Sequence, residues 1–220
     1  MKLTKIAIAL VAVLAMSAVV ASGAMAQPLT SNAGVNSVEL EGEDTGNHVF
    51  SVDEQNVTCK KATFKSGATA VPANQITVNA LYNECTAFGF ANATVNMGNC
   101  HYVFTTPNKL ETDLYTSEVD VNCETNNAAN NSIIVKSSVF GSECEVGISQ
   151  HTGTKHVIIQ NTTGNTPKDI TMNVTVNAIT VNRIKDNGLC PLKGTGEVNN
   201  GSYNGNVTVK EANGKDIWVE

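Results

Sequence analysis

The chain has 220 residues, a formal net charge of −6 and six cysteines, and only 15% of it is charged, against about 25% in an average globular protein. The surface is wetted instead by uncharged amides and hydroxyls, 27 Asn, 24 Thr and 13 Ser. The 14 basic residues are scattered singly, so neither a nucleic-acid footprint nor a basic membrane-surface patch is present, and 41% hydrophobic residues are too many for a disordered chain.

In chain order, Lys2 and Lys5 precede an apolar run from Ile6 to about Ala21 and small residues ending in Ala24-Met25-Ala26. This is the pattern of a cleavable secretory signal peptide over residues 1–26, the apolar run being short for a membrane span. Cleavage leaves 194 residues with 12 basic and 20 acidic side chains, a net charge of −8. No lipid-accepting cysteine or apolar C-terminal anchor is seen, so the expected location is secreted or extracellular, with no membrane contact after cleavage. Residues 27–36, broken by Pro28 and Gly34, read as a flexible lead, 37–212 as a single β domain and 213–220 as a C-terminal tail.

From Ser37 onward the hydrophobic period is two. Val outnumbers Leu 22 to 7 in the mature chain, and β-branched side chains suit a pleated, half-buried surface. No window sustains helical spacing; Asn126 to Asn131 is a short Asn/Ala loop. Strands are expected at Ser37 to Leu40, His48 to Val52, Val57 to Lys65, Ile76 to Ala87, Ala93 to Thr106, Ser117 to Cys123, Ser132 to Val139, Glu143 to Ser149, His156 to Asn161, Ile170 to Ile184, Gly194 to Val198 and Asn206 to Glu211. The alternation of Ile170, Met172, Val174 and Val176 with Thr171, Asn173, Thr175 and Asn177 is that of an antiparallel sheet with one wet face. Asn-Gly pairs at 187, 200, 204 and 213 suit hairpin turns. The fold class is all-β, an antiparallel β-sandwich or barrel-like structure of about 10 to 12 strands with three disulfides.

Cys59, Cys85, Cys100, Cys123, Cys144 and Cys190 all lie in the exported part, and no two are close enough in sequence for a zinc site. Placing Cys85 opposite Cys100 gives a hairpin closing at Asn92-Ala93, with Phe88 facing Met97 and Phe90 facing Val95, unless Gly89 forms a bulge. The working connectivity, one of many that six cysteines allow, is Cys85 with Cys100, Cys123 with Cys144, and Cys59 with Cys190.

The segments Gly46-Asn47-His48-Val49-Phe50, Cys59-Lys60-Lys61-Ala62-Thr63-Phe64, Cys85-Thr86-Ala87-Phe88-Gly89-Phe90 and Cys100-His101-Tyr102-Val103-Phe104 resemble those of a group of secreted bacterial β-rich proteins with paired cysteines. The resemblance runs from about residue 37 to about residue 210. It implies secretion and shared disulfides, and no activity or functional residue comes with it.

Catalytic signatures are missing. Asp44-Thr45-Gly46 occurs once, flanked by acidic residues, where an aspartic protease needs two buried copies; it reads as a polar hairpin loop between Leu40 and His48. There is no G-x-S-x-G, no H-E-x-x-H and no unpaired thiol to serve as nucleophile. Of the four histidines, 48, 101, 151 and 156, only the last two are close enough for a turn at Thr152-Gly153-Thr154 to join them. No cofactor and no firm metal site is expected. The weak calcium candidates are Glu118, Asp120 and Glu124 on one strand and Glu143 and Glu145 on another, two carboxylate rows that a Cys123–Cys144 bridge would set side by side. A sugar platform would have to use Trp218, Tyr115 or Tyr203. Asn-x-Ser/Thr triplets at Asn56, Asn92, Asn130, Asn161, Asn173, Asn200 and Asn206 read as wet strand faces.

The function these observations support is a secreted, disulfide-stabilised β protein with a structural or surface-interaction role and a protein or glycan surface partner. A calcium- or carbohydrate-binding module is the alternative and an aspartic-type hydrolase the least supported. A long edge strand at Ile170 to Ile184 would allow self-assembly.

Overall fold

The computed structural model describes residues 27–32, 34–105, 107–124, 132–162, 164, 168–186, 188–192 and 194–220, with the backbone alone at 153–156. The expected signal peptide and the loop at 126–131 lie outside the described residues. In chain order the strands are β1 (Leu29–Ser31), β2 (Ser37–Val38), β3 (Leu40–Asp44), β4 (His48–Val52), β5 (Gln55–Ser66), β6 (Thr69–Ala70), β7 (Gln75–Ala87), β8 (Ala91–Asn96) and β9 (Cys100–Thr105). They continue with β10 (Asn108–Glu111), β11 (Leu114–Cys123), β12 (Ser132–Val139), β13 (Ser142–Ser149), β14 (His151–Asn161), β15 (Ile170–Asp186), β16 (Gly196–Glu211) and β17 (Ile217–Val219). No helix occurs among the described residues.

Several of these strands are halves of longer ones. β3 and β4 run in the same direction, each antiparallel to both β5 and β16. β8 and β9 both pair with β7, β11 and β12 pair with β9 and β8, and β13 and β14 both pair with β15. Counting each collinear pair once leaves eight long antiparallel staves, β3–β4, β5, β7, β8–β9, β11–β12, β13–β14, β15 and β16, and β16 returns to β3–β4 to close the ring. The all-β antiparallel expectation therefore takes the closed form, an up-and-down barrel.

Alternation fixes which way the barrel faces. Ile170, Met172, Val174 and Val176 are buried inside while Asn173 and Asn177 are exposed and Thr171 and Thr175 are partly so. On the outer face, Asn173 Nδ2 donates to Asn206 Oδ1 at 2.6 Å and Asn204 Nδ2 to Thr175 Oγ1 at 3.1 Å, so the amides form a cross-strand ladder. A membrane-spanning barrel needs an apolar outer band; this one keeps its apolar face within.

The closed topology overturns several expectations. Consecutive staves are neighbours, so consecutive cysteines meet: the bridges are Cys59–Cys85, Cys100–Cys123 and Cys144–Cys190, and all three working pairs are wrong. The hairpin between β7 and β8 closes at Phe88-Gly89-Phe90 and not at Asn92-Ala93, with Cys85 opposite Ala93, because Phe88 and Gly89 both take positive φ, 57° and 79°. Asp44-Thr45-Gly46 is not a hairpin loop; residues 45–47 join collinear β3 and β4, and across them the register with both neighbours shifts. Asn200-Gly201 and Asn204-Gly205 lie within β16, and β15 has partners on both edges, so it offers no edge for assembly.

The lead and the tail are also structured. β1 pairs with β17, and Leu29, Ile217 and Val219 are buried. This strap crosses one end of the barrel. Leu29 exchanges backbone hydrogen bonds with Ala73, at 3.0 and 2.9 Å, and the buried Asn161 amide brackets Val219, accepting from its N–H and donating to its carbonyl, both at 2.9 Å.

Candidate functional site

Halfway along the barrel the interior turns polar. His48 is fully buried and its Nδ1 lies 2.6 Å from the Tyr203 hydroxyl; Tyr82 OH donates to Tyr203 at 3.3 Å and lies 3.0 Å from Tyr102 OH. Phe50 and Phe64 pack around the same rings. Since Tyr82 gives its proton to Tyr203, it accepts from Tyr102, and Tyr203 is free to donate to His48 Nδ1. One arrangement thus uses every phenolic proton: Tyr102 to Tyr82 to Tyr203 to His48. It leaves the proton of the neutral imidazole on Nε2, a buried atom with no hydrogen-bond partner.

Burial penalises charge on every member. Desolvation lowers the His48 pKa below its usual value against the opposing pull of Asp44, pushes Tyr102 up to about 12, and raises Tyr82 and Tyr203 as well. Gly205 on β16 makes the site possible. A Cβ there would land on the imidazole and 2.8 Å from the Tyr203 hydroxyl, so this glycine serves close approach where the sequence suggested a turn.

Between this cluster and the strap lies an apolar cavity of about 100 Å³, walled by residues such as Phe64, Phe104, Ile133, Met172, Val174 and Val207 and capped by Leu29 and Val219. At about 24 cal/mol per Å³, leaving such a void unfilled costs roughly 2.4 kcal/mol. A second cavity, about 40 Å³, lies toward the opposite end beside Phe88, Val135 and Leu192; Phe50, Ile148 and Ile179 line both.

That opposite end carries the hairpin tips. Asp53-Glu54 and Phe140-Gly141 are two-residue turns with both φ values positive, and Phe88-Gly89 repeats the feature in the third. Such turns favour Asn-Gly or Asp-Gly, and a bulky residue at positive φ is a genuine outlier. Here Phe140 is 86% exposed and Phe90 is 63% exposed. Their rings lie 6.3 Å apart, with Phe88 6.5 Å behind Phe90, and the nearby Leu189, before the bridge Cys144–Cys190, is exposed too.

The residues singled out in the sequence fall elsewhere. Glu118 and Asp120 lie on β11 and Glu124 directly follows it, and the partners of β11 are β9, β10 and β14, while Glu143 and Glu145 lie on β13 between β12 and β15. The two rows are therefore not neighbours. Glu143 and Glu145 instead face Lys136 and Lys185, with Lys185 2.7 Å from Glu143 and Lys136 3.2 Å from Glu145, and Lys185 holds the Glu143 carboxyl below its usual pKa. Among the described residues no group of three or more His, Cys, Asp or Glu is placed to hold a metal ion.

Asp44 accepts from the Ala62 N–H at 3.3 Å. His151 opens an unbroken strand to Asn161, so no turn at Thr152-Gly153-Thr154 joins it to His156, whose side chain lies outside the described residues. Tyr115 and Tyr203 are core residues, and the Lys168 ammonium sits 5.2 Å from the Trp218 ring centre. Of the Asn-x-Ser/Thr triplets, Asn130 lies outside the described residues and Asn161 is buried. What sequence reasoning missed was the association of His48 with Tyr82, Tyr102 and Tyr203, whose only local signal is their inward parity on four separate strands, β4, β7, β9 and β16.

No family model, curated protein or solved structure matches this chain.

Proposed function

We propose that the protein is an exported, disulfide-stapled barrel that engages a partner surface through its aromatic end. The carrying observation is the pair of adjacent hairpin tips bearing Phe90 and Phe140, the two most exposed of the large hydrophobic side chains among the described residues, with their rings 6.3 Å apart. Phe140 occupies a left-handed position that Asn would fill at lower cost, so the aromatic is held there against the backbone preference. Aromatic side chains bring large rigid contact area at little entropic cost, which suits a recognition tip. The signal-peptide pattern at 1–26 supports export, and three disulfides are consistent with an oxidising extracellular environment.

The test is retention of the labelled protein on intact cells and on their secreted proteins, compared with the Phe90→Thr/Phe140→Asn variant. The variant is expected to fold with stability unchanged or raised by about 1 kcal/mol and to lose retention at least tenfold. Equal retention of both proteins would remove the aromatic end from the function.

A further inference from the structure

We infer that the larger barrel cavity is a binding site for a compact uncharged hydrocarbon, or for the hydrocarbon end of a longer molecule. It is independent of the aromatic end. The first support is the filling of the space: about 100 Å³ stays open although the wall uses Val where Leu or Ile would close it, at Val174, Val176, Val207 and Val209 among others. Natural interiors pack close to crystal density, and a volume several times that of a water molecule is far above an ordinary packing defect.

The second support is chemistry. No Asp, Glu, Lys or Arg lines the cavity, and His151 is the one basic side chain in its wall, so a charged ligand finds no carboxylate, ammonium or guanidinium partner. The phenolic protons of Tyr82, Tyr102 and Tyr203 are all used within the His48 chain, so the tyrosines have none to donate to a ligand. A cavity whose surface is this predominantly apolar takes an apolar guest, as an engineered void of about 150 Å³ takes benzene. At about 100 Å³ this one suits roughly four to six carbon atoms. Its lining reaches solvent at exposed Asn74, just ahead of β7, and Gln75, the first residue of β7, which places the entrance beside the strap.

The probes are benzene and benzoate, which share a ring and differ by one carboxylate, measured by thermal melting of the exported, oxidised protein. Benzene is expected to raise the melting temperature saturably, by roughly 5 °C at hundredfold excess over its Kd, and benzoate to give no shift, since its carboxylate would be buried with no Lys, Arg or spare phenolic proton to receive it. The Val174→Leu/Val207→Leu variant, which adds a methylene at two wall positions, is expected to abolish the benzene shift. Should that variant fail to fold, xenon binding followed by NMR on the unaltered protein decides, with a single saturable site expected. Absence of a benzene shift, an equal shift with benzoate, a shift that survives in the folded filled variant, or absence of xenon binding would each overturn the assignment.

Discussion

The two ends of the barrel are closed by different means. At the aromatic end, tight hairpins return each pair of staves within two or three residues, and the longer connection between β15 and β16 is bridged from Cys190 to Cys144. At the strap end the connections are longer, and closure comes from burial: β1 and β17 meet across the mouth, with Leu29, Ile217 and Val219 among the most buried side chains. The smaller cavity lies at the covalently closed end and the larger one under the strap. The contrast shows that a covalent staple can hold a tip whose side chains are given over to solvent, whereas a non-covalent lid must spend its own apolar residues on staying shut.

Three measurements would break or sharpen this contrast. Removing the staple with Cys144→Ala/Cys190→Ala should have the largest effect, about 4 kcal/mol from the 46-residue separation of the two cysteines. Hydrogen exchange should accelerate first at residues 188–195 and leave the strap protected. Faster exchange at 217–219 instead would mean that the ends are not independent.

Truncating the lid with Ile217→Ala should cost about 3 kcal/mol, within the range for a fully buried aliphatic residue. Its exchange signature should be the reverse, with β1 and β17 opening while the hairpin tips remain as they were. Urea unfolding monitored at both ends gives the comparison directly.

The smallest effect concerns the His48 cluster between the ends. Its folded-state pKa is lowered, first by desolvation. Above about pH 6.5 the imidazole is neutral both folded and unfolded and contributes no pH dependence. Below that value the unfolded chain takes up a proton that the folded one refuses, so stability falls, at up to about 1.4 kcal/mol per pH unit, until the folded pKa is reached. In a His48→Asn variant this component of the pH profile should disappear; a slope unchanged by the substitution would assign the acid sensitivity to other groups.

Much of the local structure was legible in the chain. The alternation at Ile170 to Val176 reads directly as one inner and one outer face, and the buried and exposed residues of β15 follow it. It continues past Val176 only because Ala178 takes a positive φ and resets the parity, so that Ile179 and Val181 again point inward. No periodicity rule signals such a bulge. The same limitation misplaced Gly201 and Gly205, which a turn rule assigns to hairpins: a Cβ at Gly201 would meet the Ile179 carbonyl at 2.8 Å, and one at Gly205 would meet His48. Both reasons depend on residues distant in sequence.

Sequence alone settled that the chain is antiparallel and all-β, that its Val residues face a core, and that Asn and Thr face water, because these follow from a two-residue period that each strand carries by itself. Tertiary structure decided the rest. Ring closure set which cysteines meet, paired the two ends of the described chain into a strap, and gathered His48, Tyr82, Tyr102 and Tyr203 into one buried hydrogen-bonded chain. Those outcomes depend on which strands become neighbours, and that choice is made by the packing of the whole barrel and not by any segment of it.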